Sequence, residues 1–360
     1  MLLLLGAIGV PLTLFWDFAW ESTIGVDAFL SPPHAANYAS VALAAVAAAQ
    51  LAVGATRRGD DGGVALGPVR APLGAWVALW GALAFAAALL FDRWWQASYG
   101  LAAGIWYPPQ MAKALAYFAV VAGAWLVWIE RQADARGRRA ADLAAGTLLA
   151  MIAVVTLPQT FANRQHSAVF FQLACATYPV VLAAHCAAGR ARAPATAAAL
   201  AYMGLVGLMV WVLPLFHASP LAGPVYNARD HLLPPPFPLL LVVPALAIDG
   251  FVRSAPRQAT RGRTVAEAVE AGAAFFGLFA LVQWTFAGFL LSGRADDWFF
   301  AGGGREWPFF LRVDPSARSS FWHEISPALD GTSATLAALF AIAAAGAGLW
   351  LGNALGERRQ

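Results

Sequence analysis

Residues 15–34 read FWDFAWESTIGVDAFLSPPH, and residues 90–110 read LFDRWWQASYGLAAGIWYPPQ. Asp17 pairs with Asp92, Trp20 with Trp95 and Gly25 with Gly100. Pro32–Pro33 then pairs with Pro108–Pro109 after one inserted residue. Each copy is an apolar run closing in D-x-x-W, a short loop, and a Pro-Pro dipeptide opening the next apolar run. Proline is at home in the first turn of a helix, where its missing N–H costs nothing, and Ser31 stands at the expected N-cap. The pattern predicts a helical hairpin used twice in parallel orientation within residues 1–129.

The rest of the chain is apolar in the same way. Of 360 residues, 60% are hydrophobic and only 12% charged, about half the charge density of a soluble domain. Ten apolar stretches approach the ~20 residues needed to cross a bilayer. They lie near 2–19, 36–55, 72–91, 109–129, 143–161, 168–188, 195–216, 235–252, 269–292 and 332–353. The expected fold is all-α, a polytopic transmembrane bundle forming one integral membrane domain over 1–360. The start lacks a basic n-region and a small-residue cleavage site, so it reads as a retained first span.

The connections alternate in character. Loops 56–71, 130–142, 189–194 and 253–268, with the C-terminal tail, hold fifteen of the 23 Lys and Arg residues. The other set is rich in Trp, Pro, His and acid. The positive-inside rule then places both termini in the cytoplasm of a bacterial-type inner membrane. The net charge of +3 comes from these short loops and implies no nucleic-acid partner. Cys175 and Cys186 fall in one predicted helix, ~16 Å apart at the helical rise, too far for a disulfide.

Orientation gives the polar residues meaning. Of six histidines, His34, His166, His217, His231 and His323 map to the outer side. Asp17 and Glu21 are four apart and share a face if the first helix continues through them. His34 falls in the first turn of the second span, where the positive helix end favours a neutral ring able to accept a proton or bind metal. Gln110 and Gln96 replace His34 and Glu21 in the second copy. Asp230–His231 again precedes a proline-started helix. The expected metal set is therefore Asp17, Glu21, His34, Asp92, Asp230 and His231, with His166, His217, His323 and Glu324 as further outer-face groups. Carboxylate and imidazole ligands suit copper, iron or zinc. The aromatic stretch 293–331 reads as an interfacial loop or cap.

The opening stretch resembles a W-D-x-x-W…G-x-D-x-F-x-[ST]-P-P-H signature of uncharacterised bacterial polytopic membrane proteins. Trp16, Asp17, Trp20, Gly25, Asp27, Phe29, Ser31, Pro32, Pro33 and His34 match it. Glu21 stands where that pattern tends to have His. The resemblance implies a membrane fold and carries no activity.

Several chemistries lack their motifs: there is no H-E-x-x-H, P-loop, G-x-S-x-G or G-x-G-x-x-G, and no span has a central His for haem. Three functions fit what is left. A metal-dependent membrane oxidoreductase, or a subunit of one, would use the His/carboxylate set. A transporter for an ion or small solute would use the outer carboxylates as a vestibule, although the middles of the spans are almost free of polar residues. A structural or assembly subunit of a membrane complex would use the Ala- and Gly-rich faces for close packing.

Overall fold

The computed structural model describes residues 1–25, 28–59, 63–100, 106–221, 230–253, 261–302 and 327–357. Its helices are α1 (Leu2–Thr23), α2 (Pro32–Arg58), α3 (Leu73–Tyr99), α4 (Pro108–Glu130) and α5 (Ala135–Val155). They continue as α6 (Ala168–Ala188), α7 (Pro194–Val212), α8 (Val242–Arg253), α9 (Arg261–Leu290) and α10 (Gly331–Glu357). Among the described residues one hairpin interrupts the all-α pattern: β1 (Val64–Leu66) and β2 (Val69–Ala71) pair antiparallel in the loop after α2. Gly67 turns it with φ +59°, a conformation glycine adopts without steric cost.

Among the described residues, eight helices are long and apolar enough to cross a membrane: α1, α2, α3, α4, α6, α7 with its 3₁₀ extension to Leu215, α9 and α10. This differs from ten expected spans at two places. The fifth stretch forms α5, which starts at Ala135 rather than 143 and stops at Val155 rather than 161. Its first turns carry Arg136, Arg138 and Arg139, and Asp134 caps it by accepting from Gly137 N at 2.7 Å, so the helix begins in polar sequence. The eighth stretch is helical only from Val242. Residues 232–240 run without helical structure, because Pro234, Pro235, Pro236 and Pro238 offer no N–H to an α-helical ladder.

That irregular segment is nevertheless deep in the protein. Leu233, Leu239 and Leu241 are buried, so its amides need partners. Thr23 Oγ1 accepts from Leu233 N at 3.0 Å, Tyr202 Oη from Leu239 N at 3.0 Å, and Gln283 Oε1 from Leu240 N at 2.9 Å. Gln283 Nε2 donates to Gln165 Oε1 at 2.6 Å, and Gln165 Nε2 to Thr160 O at 2.6 Å. Non-helical backbone at membrane depth is tolerated when the protein itself supplies the bonds.

Small residues set the packing. On α10, a Cβ at Gly348 or Gly352 would strike the carbonyl oxygens of Val180 and Ala184 on α6. The two helices therefore meet backbone to backbone, the small-xxx-small mode of membrane helices. Near the start of the chain, Gly6 of α1 lies against Ser40 and Ala44 of α2, and Gly81 of α3 against Ala116 and Val120 of α4. Large apolar side chains on the outside, among them Leu83, Leu90, Leu115, Leu281 and Trp350, are exposed, as a surface facing lipid would have them.

At the basic end of the bundle, buried polar groups are paired. Trp125 Nε1 donates to His185 Nδ1 at 3.1 Å, which leaves Nε2–H to face Asp142 Oδ1 at 2.8 Å. Asp249 of α8 caps α7, accepting from Ala195 N, Thr196 N and Thr196 Oγ1 at 3.1, 2.9 and 2.8 Å. A carboxylate is well placed at the positive end of a helix. Cys186 donates to the same carboxylate, and both cysteines are buried free thiols.

Candidate functional site

Helix α1 continues past the predicted end of the first span, so Asp17 and Glu21 both lie on it. Their surroundings differ: Asp17 is half-buried, whereas Glu21 is exposed. Ser31 occupies the N-cap position of α2, but its hydroxyl makes no capping bond and is buried without a hydrogen-bond partner among the described residues. Pro32 and Pro33, the first two helical residues, have no N–H to give it.

His34 follows in the first turn. Its Nδ1 lies 3.0 Å from Ala28 O and its Nε2 3.4 Å from Asp17 Oδ1, with the ring stacked on Tyr38. Both nitrogens face oxygen acceptors. A neutral imidazole can donate to one of them and an imidazolium to both.

Across from this pair, α3 continues to Tyr99 and carries Asp92 within it. Asp92 is 7% exposed, and its Oδ2 pairs with Lys113 Nζ of α4 at 2.8 Å. Lys113 is the only lysine in the chain. It lies inside the fourth predicted span, and a lone ionisable residue there is a functional candidate by default; the reading by outer-loop histidines passed over it. One turn along α4, Tyr117 Oη donates to Asn37 Oδ1 at 2.6 Å. Asn37 Nδ2 donates to Thr13 Oγ1 at 2.9 Å, and Thr13 Oγ1 donates to Gly9 O at 2.7 Å. This chain of bonds ties α4 to α2 and α2 to α1.

These side chains line one cavity of about 310 Å³, with Asp17, His34, Asn37 and Tyr38 on one side. Asp92, Arg93, Gln96, Gln110, Lys113 and Tyr117 form the other. Gln110, the counterpart of His34, therefore faces the same space as His34. Lys113 stands three residues beyond Gln110, as Asn37 stands three beyond His34. Within this wall, Asp17 Oδ1 and Asp92 Oδ1 are both buried and accept no hydrogen bond among the described residues. A buried oxygen without a donor is costly, by about 1–3 kcal/mol and more when charged. Both carboxylates are thus set up to receive a donor.

The remaining expected site residues lie elsewhere. Glu21, Asp230 and His231 do not line this cavity. Asp230 and His231 form their own pair at 2.8 Å on an exposed turn, where His217 and His231 face each other as an isolated antiparallel bridge. The His231 ring beside Asp230 holds that carboxyl below its usual range by hydrogen bonding. His217, Trp16 and Trp20 line a separate apolar groove of about 430 Å³ with Met209, Phe216 and Leu232. Two of the tryptophans in the opening stretch thus face protein as well as the expected interface. His166 contacts Trp284, its Nε2 3.1 Å from the backbone oxygen. His323, Glu324, Asp27 and most of the 293–331 stretch lie outside the described residues; Phe299 and Phe300, at its start, pack on Phe237.

Among the described residues, no group of three or more His, Cys, Asp or Glu is arranged to hold a metal ion. Lys113 occupies one oxygen of Asp92, so that carboxylate meets a cation that the protein already supplies, while Asp17 is paired with His34. No protein-family model, no curated protein and no solved structure matches this chain.

Proposed function

We propose that this is a plasma-membrane carrier with both termini in the cytoplasm, binding a small polar solute in the cavity between α1–α2 and α3–α4. The observation that carries this reading is the cavity itself. Two carboxylates, an ammonium, a guanidinium and an imidazole line about 310 Å³ of space among helices that are otherwise apolar. Ionisable groups in such a setting are expensive and are retained where they serve a ligand or a proton. The volume falls at the lower end of small-molecule sites.

Three further features support it. Fifteen of 23 basic residues fall in the alternate set of connections, the set that does not flank the cavity helices' polar ends, which favours an outward-facing mouth. The two helix pairs read as a duplication: Gly6 contacts Ser40 and Ala44, and Gly81 contacts their repeat counterparts Ala116 and Val120. Ligand sites of transporters often lie between such repeats, beside interrupted helices. The segment before α8 is an interrupted stretch of that kind, bonded to α1 through Leu233 N and Thr23 Oγ1 and outside the cavity wall.

The metal reading, as an oxidoreductase or a subunit of one, narrows to Asp17, His34 and Asp92 and requires Lys113 to withdraw from Asp92. The assembly-subunit reading draws on the close Gly and Ala contacts alone. The test is uptake into proteoliposomes of the purified protein, with elemental analysis of the same sample. Solute uptake by the unaltered protein, lost in Gln110→Ala of unchanged melting temperature, supports the carrier. Stoichiometric copper, iron or zinc with no uptake would replace it with the metal reading.

A further inference from the structure

We infer that the solute is a small zwitterion, bearing an ammonium and a carboxylate on a short skeleton, and that it enters with its ammonium leading. This rests on the solute-binding reading above and adds the chemical class.

The charged groups differ in exposure. The side chains of Asp92, Lys113 and Asp17 are 11%, 16% and 19% exposed, while Arg93 is exposed at the rim. The inner part of the cavity therefore holds two carboxylates against one lysine, with His34 Nε2 3.4 Å from Asp17 Oδ1. Among the described residues neither Asp17 Oδ1 nor Asp92 Oδ1 accepts a hydrogen bond, and Asp92 Oδ1 has no charged neighbour there besides the lysine on its other oxygen. A ligand ammonium has three N–H groups and one positive charge, which answer both oxygens and the excess negative charge together.

The rim has the opposite character. Arg93 sits with its guanidinium 5.6 Å from the centre of the Phe29 ring. An exposed guanidinium carries five N–H donors in a fork that receives a carboxylate in bidentate fashion. Gln96 and Gln110, also in the wall, offer amide donors and acceptors. A simple cation satisfies the depth and leaves the rim unanswered. A simple anion satisfies the rim and meets two carboxylates below. A ligand with both groups a few bonds apart matches each end with one molecule, and about 310 Å³ leaves little room for a bulky substituent.

The experiment is isothermal titration of the purified full-length protein in detergent with glycine, L-alanine and β-alanine. Methylammonium and acetate, at matched ionic strength, carry the single charges. At least one zwitterion is expected to bind at least about tenfold more tightly than either single-charge probe, a difference of about 1.4 kcal/mol. Arg93→Gln, on an exposed side chain, is expected to weaken the zwitterion about tenfold and leave methylammonium unchanged. Methylammonium binding as tightly as every zwitterion, or an Arg93→Gln protein with unaltered affinities, overturns the zwitterion while the solute site stands. No binding by any of the three zwitterions also overturns it. The carrier reading is then judged separately, by proteoliposome uptake of other solutes.

Discussion

Lys113 places its Nζ 2.8 Å from Asp92 Oδ2 and so joins α4 to α3 inside the wall of a polar cavity. Both side chains are largely buried, at 16% and 11% exposure. Removing one partner strands the other charge in an apolar setting. Asp92→Asn and Lys113→Gln are each expected to destabilise the protein by about 3 kcal/mol. The double variant is expected to cost less than the sum of the two. Unfolding of the detergent-solubilised variants measures all three, and strict additivity would show that the pair is not coupled.

Gln283 holds the irregular backbone before α8 by accepting from Leu240 N and donating to Gln165. Gln283→Leu keeps the volume and removes both bonds. A loss of about 2 kcal/mol is expected, with faster amide hydrogen exchange at Leu240. Unchanged exchange there would mean that another acceptor takes over the amide.

Gly348 and Gly352 let α10 lie against the α6 backbone, with Val180 O and Ala184 O in the way of any Cβ. Gly348→Val is expected to cost about 1–3 kcal/mol or more through overpacking. Gly277, on α9, has open space where a Cβ would go, so Gly277→Ala is expected to be neutral or stabilising by up to about 1 kcal/mol. Melting temperatures of the two variants should move in opposite directions or differ clearly in size.

On the outer turn, His231 hydrogen-bonds Asp230 and holds its carboxyl below the usual value of 3.8. A depressed carboxyl contributes stability that is fully present above the unfolded value and is lost as the pH falls through the folded one. The Asp230 carboxyl resonance is therefore expected to titrate below 3.8 and to move up toward that value in His231→Ala. Because the group is fully exposed, the local turn should respond, with little change in global melting.

The helices were legible for a local reason. Long apolar runs, Pro-Pro starts at Pro32 and Pro108 and basic loops are properties of neighbouring residues; they place α4 within one residue at each end, and α2 extends the expected 36–55 back to its Pro-Pro start and on to Arg58. The two departures have local causes as well. Three arginines and an Asp134 cap lengthen α5 backward, and the proline run delays α8. Both were present in the sequence and were outweighed by hydropathy averaged over a window.

The site was legible in part. Asp17, His34 and Asp92 were singled out and do line one cavity, whereas Glu21, Asp230 and His231, singled out with them, do not. Lys113 had its own signal, a single lysine within an apolar span. Asn37 and Tyr117 had none, since one polar residue in a span is as often packed as used.

What the sequence alone determined is the membrane-type helical character, the places where helices begin, and the uneven distribution of charge between the two sets of loops. Each follows from side-chain transfer energies and from backbone donors that a residue has or lacks. Which charges meet was decided only by tertiary structure. Asp92 and Lys113 are 21 residues apart, and Asn37 and Tyr117 are 80 apart. Their contact depends on how closely helices approach at Gly6 and Gly81 and on which face each then turns inward. Packing at that resolution is a property of several helices together, and no stretch of the chain carries it alone.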